Sequence, residues 1–138
     1  MKHYYEFGVY YNAEELQEEE GYIIKEFVPG EIKSFDLIKV TNRANNIICT
    51  CEWYHVEDVN SIPHFELTCV TLQNVNDGSL REIPINYRII ATSLEKMDTV
   101  LEKLLNNVDV LANAFEMDQY NPQDMAKLKN MIEDILKK

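Results

Sequence analysis

Three cysteines, four glycines and four prolines are all that this chain of 138 residues holds of the residues that staple, loosen or break a fold. Cys49, Cys51 and Cys69 make an odd count at close spacing in a chain with no secretion signal, so a disulfide framework is not expected. Gly8, Gly21, Gly30 and Gly78 are isolated from one another, so no glycine-rich loop can wrap a phosphate with its backbone amides. No stretch approaches the ~18 apolar residues of a membrane span. No apolar signal region follows Met1-Lys2-His3, and a soluble, cytoplasmic protein without membrane contact is expected.

Positive charge is also scarce. Thirteen lysines and arginines face 24 acidic residues, for a net charge of −11, and Arg43, Arg81 and Arg88 are the only arginines. Residues 1–31 carry eight glutamates and two lysines, a net −6. Such a chain repels nucleic-acid backbones and anionic lipid, so direct binding to nucleic acid is not expected. A basic surface on another protein is the partner this field attracts.

What is present is periodicity, and it changes near Thr92. Upstream, alternation of period two marks strands over Lys2–Tyr11, Gly21–Val28, Ser34–Thr41, Ile47–Val56, His64–Gln73 and Leu80–Ala91. The polar run Asn42–Asn46 reads as one hairpin connection. Asn76-Asp77-Gly78 reads as another, with Asp-Gly supplying positive φ angles. Pro84 lacks a ladder donor and places the last strand at an edge or at a bulge.

Downstream, Leu94, Met97, Leu101, Leu104, Val108, Leu111 and Phe115 recur at steps of three and four. They predict one helix about 36 Å long. Thr92 and Glu95 have capping-box spacing at its start. Asn121-Pro122 opens a second helix, with Asn121 as cap and with Met125, Leu128, Ile132 and Ile135 as its stripe. The expected fold is α+β: a single domain over residues 1–138, with an antiparallel meander of four to six strands within 1–92. A C-terminal helical hairpin over 93–138 packs on the sheet. The first helix outreaches the second, so its heptad stripe is also a candidate self-association face for a homodimer or higher oligomer.

Candidate chemistry is sparse. A metal site built from Cys49, Cys51 and Cys69 with His55 or His64 is not expected, because a C-x-C step on a strand splays its thiols. With Cys69 placed on the same face as Phe65 and Leu67, the three thiols read as small buried hydrophobes. The histidines lack the i, i+4 helical pairing of a metalloprotease, and nothing sets a nucleophile beside a base. No catalytic residues, cofactor or metal are assigned, and an enzyme is not expected.

The interaction signals lie upstream. Glu14, Glu15, Glu18, Glu19 and Glu20 form an acidic cluster, and Tyr4 and Tyr10 alternate against Tyr5, Phe7, Val9 and Tyr11. Tyrosine gives large contact area at low entropic cost. These residues are candidates for docking on a partner. Composition and charge thus point to a non-catalytic acidic binding module, an inhibitor or adaptor that occupies a basic protein surface. Anti-defence proteins of phage or mobile elements and immunity proteins share those properties. The order of sheet first and two helices last resembles the SecB export chaperones, which are also acidic. That resemblance in element order implies a holdase with an apolar groove. A small-molecule binder or enzyme with a pocket between sheet and helices is a further alternative.

Overall fold

A computed structural model describes residues 4–8 and 23–25 as backbone, and residues 37–56 and 64–138 in full. Seven strands form one antiparallel sheet: β1 (Tyr4–Gly8), β2 (Ile23–Lys25), β3 (Leu37–Ala44), β4 (Ile47–Val56), β5 (His64–Asn74), β6 (Leu80–Pro84) and β7 (Ile90–Ala91). The order across the sheet is β2-β1-β3-β4-β5-β6, with β7 also pairing β5. Strands β3 to β6 form a meander, and β1 lies between β2 and β3. Helices α1 (Leu94–Leu105), α2 (Val108–Ala112) and α3 (Pro122–Lys137) follow, with a 3-10 turn at Asn113–Glu116. The expected α+β architecture is therefore present, with the helices after the sheet and packed on it.

Alternation decides which face is buried. Ile38, Val40, Ile47, Cys49, Cys51 and Trp53 point into one core with Leu67, Val70, Leu72 and Ile83. The same core takes Leu94, Met97, Leu101 and Leu104 of α1 and Leu128, Ile132 and Ile135 of α3. On the other face, Thr41 and Thr50 share a 3.0 Å hydrogen bond, and Lys39 pairs with Glu52 at 3.3 Å.

Several local expectations are corrected. The β3–β4 connection is a two-residue turn at Asn45-Asn46, because β3 continues through Asn42 and Arg43 to Ala44, which pairs with Ile47. Asn45 takes a φ of 55°, a left-handed conformation that asparagine tolerates. The β5–β6 connection is wider than a two-residue turn. Asn74 donates to Ser79 O at 2.9 Å, and of Asp77 and Gly78 only Gly78 has positive φ. The strand expected over Leu80–Ala91 splits into β6 and β7. Strand β6 ends at Pro84 on the sheet edge, as a residue without a ladder donor requires.

The long helix also divides. Asn107 Nδ2 donates to Lys103 O at 2.8 Å, occupying the carbonyl four residues back, while Asn107 N turns to Leu104 O at 3.0 Å. A side-chain amide has displaced the helical backbone bond, and α1 stops there. The cap of α1 is Ser93, one residue beyond the expected Thr92; its hydroxyl accepts from Lys96 N at 3.2 Å. The cap of α3 is Asn121, as its sequence predicts, with Pro122 in the first turn.

Candidate functional site

The residues expected to dock on a partner fall largely outside the described segments. Tyr10, Glu14, Glu15, Glu18, Glu19 and Glu20 all lie there. Tyr4 is described as backbone only, opposite Thr41 in the β1–β3 register. The expected self-association seam is described in full. Leu94, Met97, Leu101, Leu104 and Leu111 are buried within the chain, and Val108 and Phe115 are partly buried against the same core. The break at Asn106-Asn107 lets the stripe fold back onto its own sheet.

A different surface combines acid with an exposed aromatic ring. Between Asp109 and Asp124 the chain carries Asp109, Glu116, Asp118 and Asp124 and no lysine or arginine. In the middle of that stretch Tyr120 is 85% exposed, more than any other large hydrophobic residue among those described. It stands on the rim of an open depression of ≈580 Å³, shared with Asp118, Asn121, Pro122 and Gln123.

The loop that carries Tyr120 is tied at each step. Asp118 N donates to Asp124 Oδ2 at 3.0 Å, and Tyr120 N donates to Asp118 Oδ1 at 2.9 Å. Asn121 N donates to Asp118 O at 3.1 Å. The Asn121 side chain then accepts from Gln123 N at 2.9 Å and from Asp124 N at 3.3 Å. From the sheet, the Arg81 guanidinium donates to Met117 O through Nε at 3.3 Å and through Nη2 at 2.9 Å. Its carbon lies 5.8 Å from the centre of the Phe115 ring. These bonds fix the base of the loop, so a partner that stacks on Tyr120 would have little ordering entropy to overcome. The signal for this tyrosine is in the sequence: Asp-Gln-Tyr-Asn-Pro is a turn directly before a helix cap, where a side chain has no core to enter.

A second polar cluster sits at the opposite end of β5. Glu66 Oε1 accepts from Arg88 Nε at 2.7 Å and lies 3.5 Å from His64 Nε2. Arg88 first holds the Glu66 carboxyl below the usual glutamate range, against the opposing effect of burial, and His64 adds to the lowering. A carboxylate fixed in its ionised form between two basic groups is a poor proton donor, so the cluster acts as an electrostatic clamp on the 85–89 connection.

The cysteines are divided between the two faces. Strand β5 has a bulge: Glu52 pairs with Cys69 but Trp53 pairs with Leu67, leaving Thr68 as the extra residue. A bulge reverses the side-chain alternation beyond it. Cys69 therefore leaves the face of Phe65 and Leu67, where it was expected, and sits 3.9 Å from Thr71 Oγ1 on the other side. Cys49 and Cys51 stay fully buried on the core face. The hydrogen bond with Cys49, followed by burial, pushes the Cys51 thiol well up. Among the described residues no group of three or more metal-ligating side chains comes together. Among them, too, no helix is long and apolar enough to cross a membrane.

Compared with known proteins, the chain matches no family model, no curated protein and no solved structure. The resemblance to export chaperones therefore rests on element order alone.

Proposed function

We propose that this chain is a non-catalytic, acidic protein-binding module, an inhibitor or adaptor that seats on a lysine- and arginine-rich surface of a partner protein. The observation that carries the reading is Tyr120, 85% exposed on a tied loop within a stretch that holds four carboxylates and no cation. Long-range attraction from a net charge of −11 speeds encounter with a basic partner, and an aromatic anchor slows departure. The glutamates at 14, 15, 18, 19 and 20 add to the same field whatever their conformation. A holdase would need an apolar groove beside the helices, and the apolar stripes of α1 and α3 are instead spent against the sheet.

The test is stoichiometric affinity capture with the purified chain as bait, identification of the bound protein, and kinetics with that protein. Glu116→Gln, Asp118→Asn and Asp124→Asn together remove three charges while keeping the loop's acceptor oxygens. This variant should associate more slowly with a shallower salt dependence, and Tyr120→Ala should dissociate faster. Capture that persists undiminished in molar salt, with both variants behaving as wild type, would sink the proposal.

A further inference from the structure

Among the described residues, strand β6 is the last strand on its side of the sheet. In an antiparallel strand the N–H and C=O of one residue point to the same side, and successive residues alternate. Asn74 N donates to Ser79 O at 2.9 Å, and Ile85 N donates to Thr68 O at 2.9 Å. The odd-numbered residues between them therefore face β5, in the register that sets Leu72 against Arg81 and Val70 against Ile83. Leu80, Glu82 and Pro84 turn their backbone groups outward. Such an edge is a template for pairing with another chain.

The antiparallel registers open to a second copy can be taken in turn. Any register that uses Pro84 lacks a donor, since proline has no N–H. The register centred on Glu82 also sets that carboxylate against its own twin, which is repulsive. A register centred on Leu80 runs into the turn at Gly78 after a single pair. The register centred on Arg81 escapes all three obstacles. It sets Leu80 against Glu82 in both directions and would bond every outward backbone group of the two residues. That register needs the Leu80 carbonyl to accept, and Arg81 Nη1 already donates to it at 2.8 Å, so an incoming N–H would have to share that oxygen beside the guanidinium.

We propose that Arg81 is a latch that closes the β6 edge to strand addition by a second copy of this chain, with Met117 as its catch. The remaining two guanidinium bonds both go to Met117 O. Among the described residues no carboxylate forms an ion pair with Arg81, although it is only 9% exposed. Its three hydrogen bonds all end on main-chain carbonyls. A buried guanidinium used in this way ties the chain's own backbone, and here the tied groups are an edge carbonyl and the carbonyl that ends the 3-10 turn. Charge repulsion, Pro84 and the turn at Gly78 cover the other antiparallel registers, and Arg81 covers the one they leave open.

Sedimentation across the micromolar range tests this, with circular dichroism as the check on folding. Arg81→Met keeps the length of the stem and removes all three bonds. It should self-associate roughly tenfold or more tightly than wild type, since each interface regains two backbone bonds. Adding Glu82→Pro to Arg81→Met removes only an outward N–H, sparing the ladder to β5, and should return association to the wild-type level. Arg81→Lys, which replaces the planar guanidinium fork with a compact ammonium, should fall between wild type and Arg81→Met. Folded Arg81 variants that associate no more than wild type would overturn the proposal. So would association that survives Glu82→Pro, because another surface would then be responsible. Loss of the fold in both Arg81→Met and Arg81→Lys would also overturn it, since Arg81 would then be a folding residue and not an edge latch.

Discussion

Single side chains in this protein take their roles from the face they occupy. Cys49 and Cys51 share the core face at zero exposure, while the bulge at Thr68 turns Cys69 outward into partial contact with solvent. Burial first, and the nearby Glu52 and Glu82 carboxylates, push the Cys69 thiol up, so its reactive thiolate is scarce near neutral pH. In the native protein a thiol reagent should label Cys69 alone, and slowly; Cys49 and Cys51 should react only on unfolding. Rapid labelling of two or more thiols before unfolding would contradict this assignment of faces. Two core-facing donors, Asn42 Nδ2 and Trp53 Nε1, have no hydrogen-bond partner among the described residues. Buried donors of this kind cost about 1–3 kcal/mol each, so the core tolerates some polar imperfection.

At the scale of elements, caps and breaks outweigh periodicity. The heptad from Leu94 to Phe115 is unbroken in sequence, yet the chain stops its first helix at Asn106-Asn107. Moving the cap from Thr92 to Ser93 gives a direct test. Ser93→Ala should cost about 1 kcal/mol in denaturant unfolding, and Thr92→Ala should stay within about 0.5 kcal/mol of wild type. Equal costs would return the cap to Thr92. The buried seam gives another: Leu101 is fully enclosed between α1 and the sheet, so Leu101→Ala should lose about 2–5 kcal/mol at any protein concentration. A loss that disappears on dilution below the association range would place Leu101 in a subunit contact.

For the whole molecule the governing quantity is charge. A net −11 makes the folded chain repel itself, and acid relieves that repulsion while breaking the ion pairs that hold carboxylates. The Glu66 carboxyl, held down by Arg88 and His64, shows the second effect. Its folded pKa lies below its unfolded value. The stability it contributes is therefore present above the ordinary glutamate range, near pH 4.3, and is lost as pH falls through its folded value. Glu66→Gln should consequently lose less stability than wild type between about pH 6 and pH 3, by a small margin because the site is partly exposed and screened. A steeper acid loss in the variant would show that the carboxylate is not clamped.

The properties set by near neighbours were legible in the sequence: the α+β class, the hairpins around Asn45 and Gly78, the Asn121-Pro122 start of α3 and the acidity of the chain. They follow from side-chain alternation, left-handed turn residues, caps and charge, each of which acts within a few residues. Tertiary structure decided the rest. The insertion of β1 between β2 and β3 and the consumption of the Leu94–Leu111 stripe by the sheet depend on contacts between residues far apart in sequence. So do the slip at Thr68 that moves Cys69 to the other face and the placement of Arg81 beside Met117. No local pattern specifies these outcomes, because strand pairing and helix docking are settled by which distant apolar surfaces fit together.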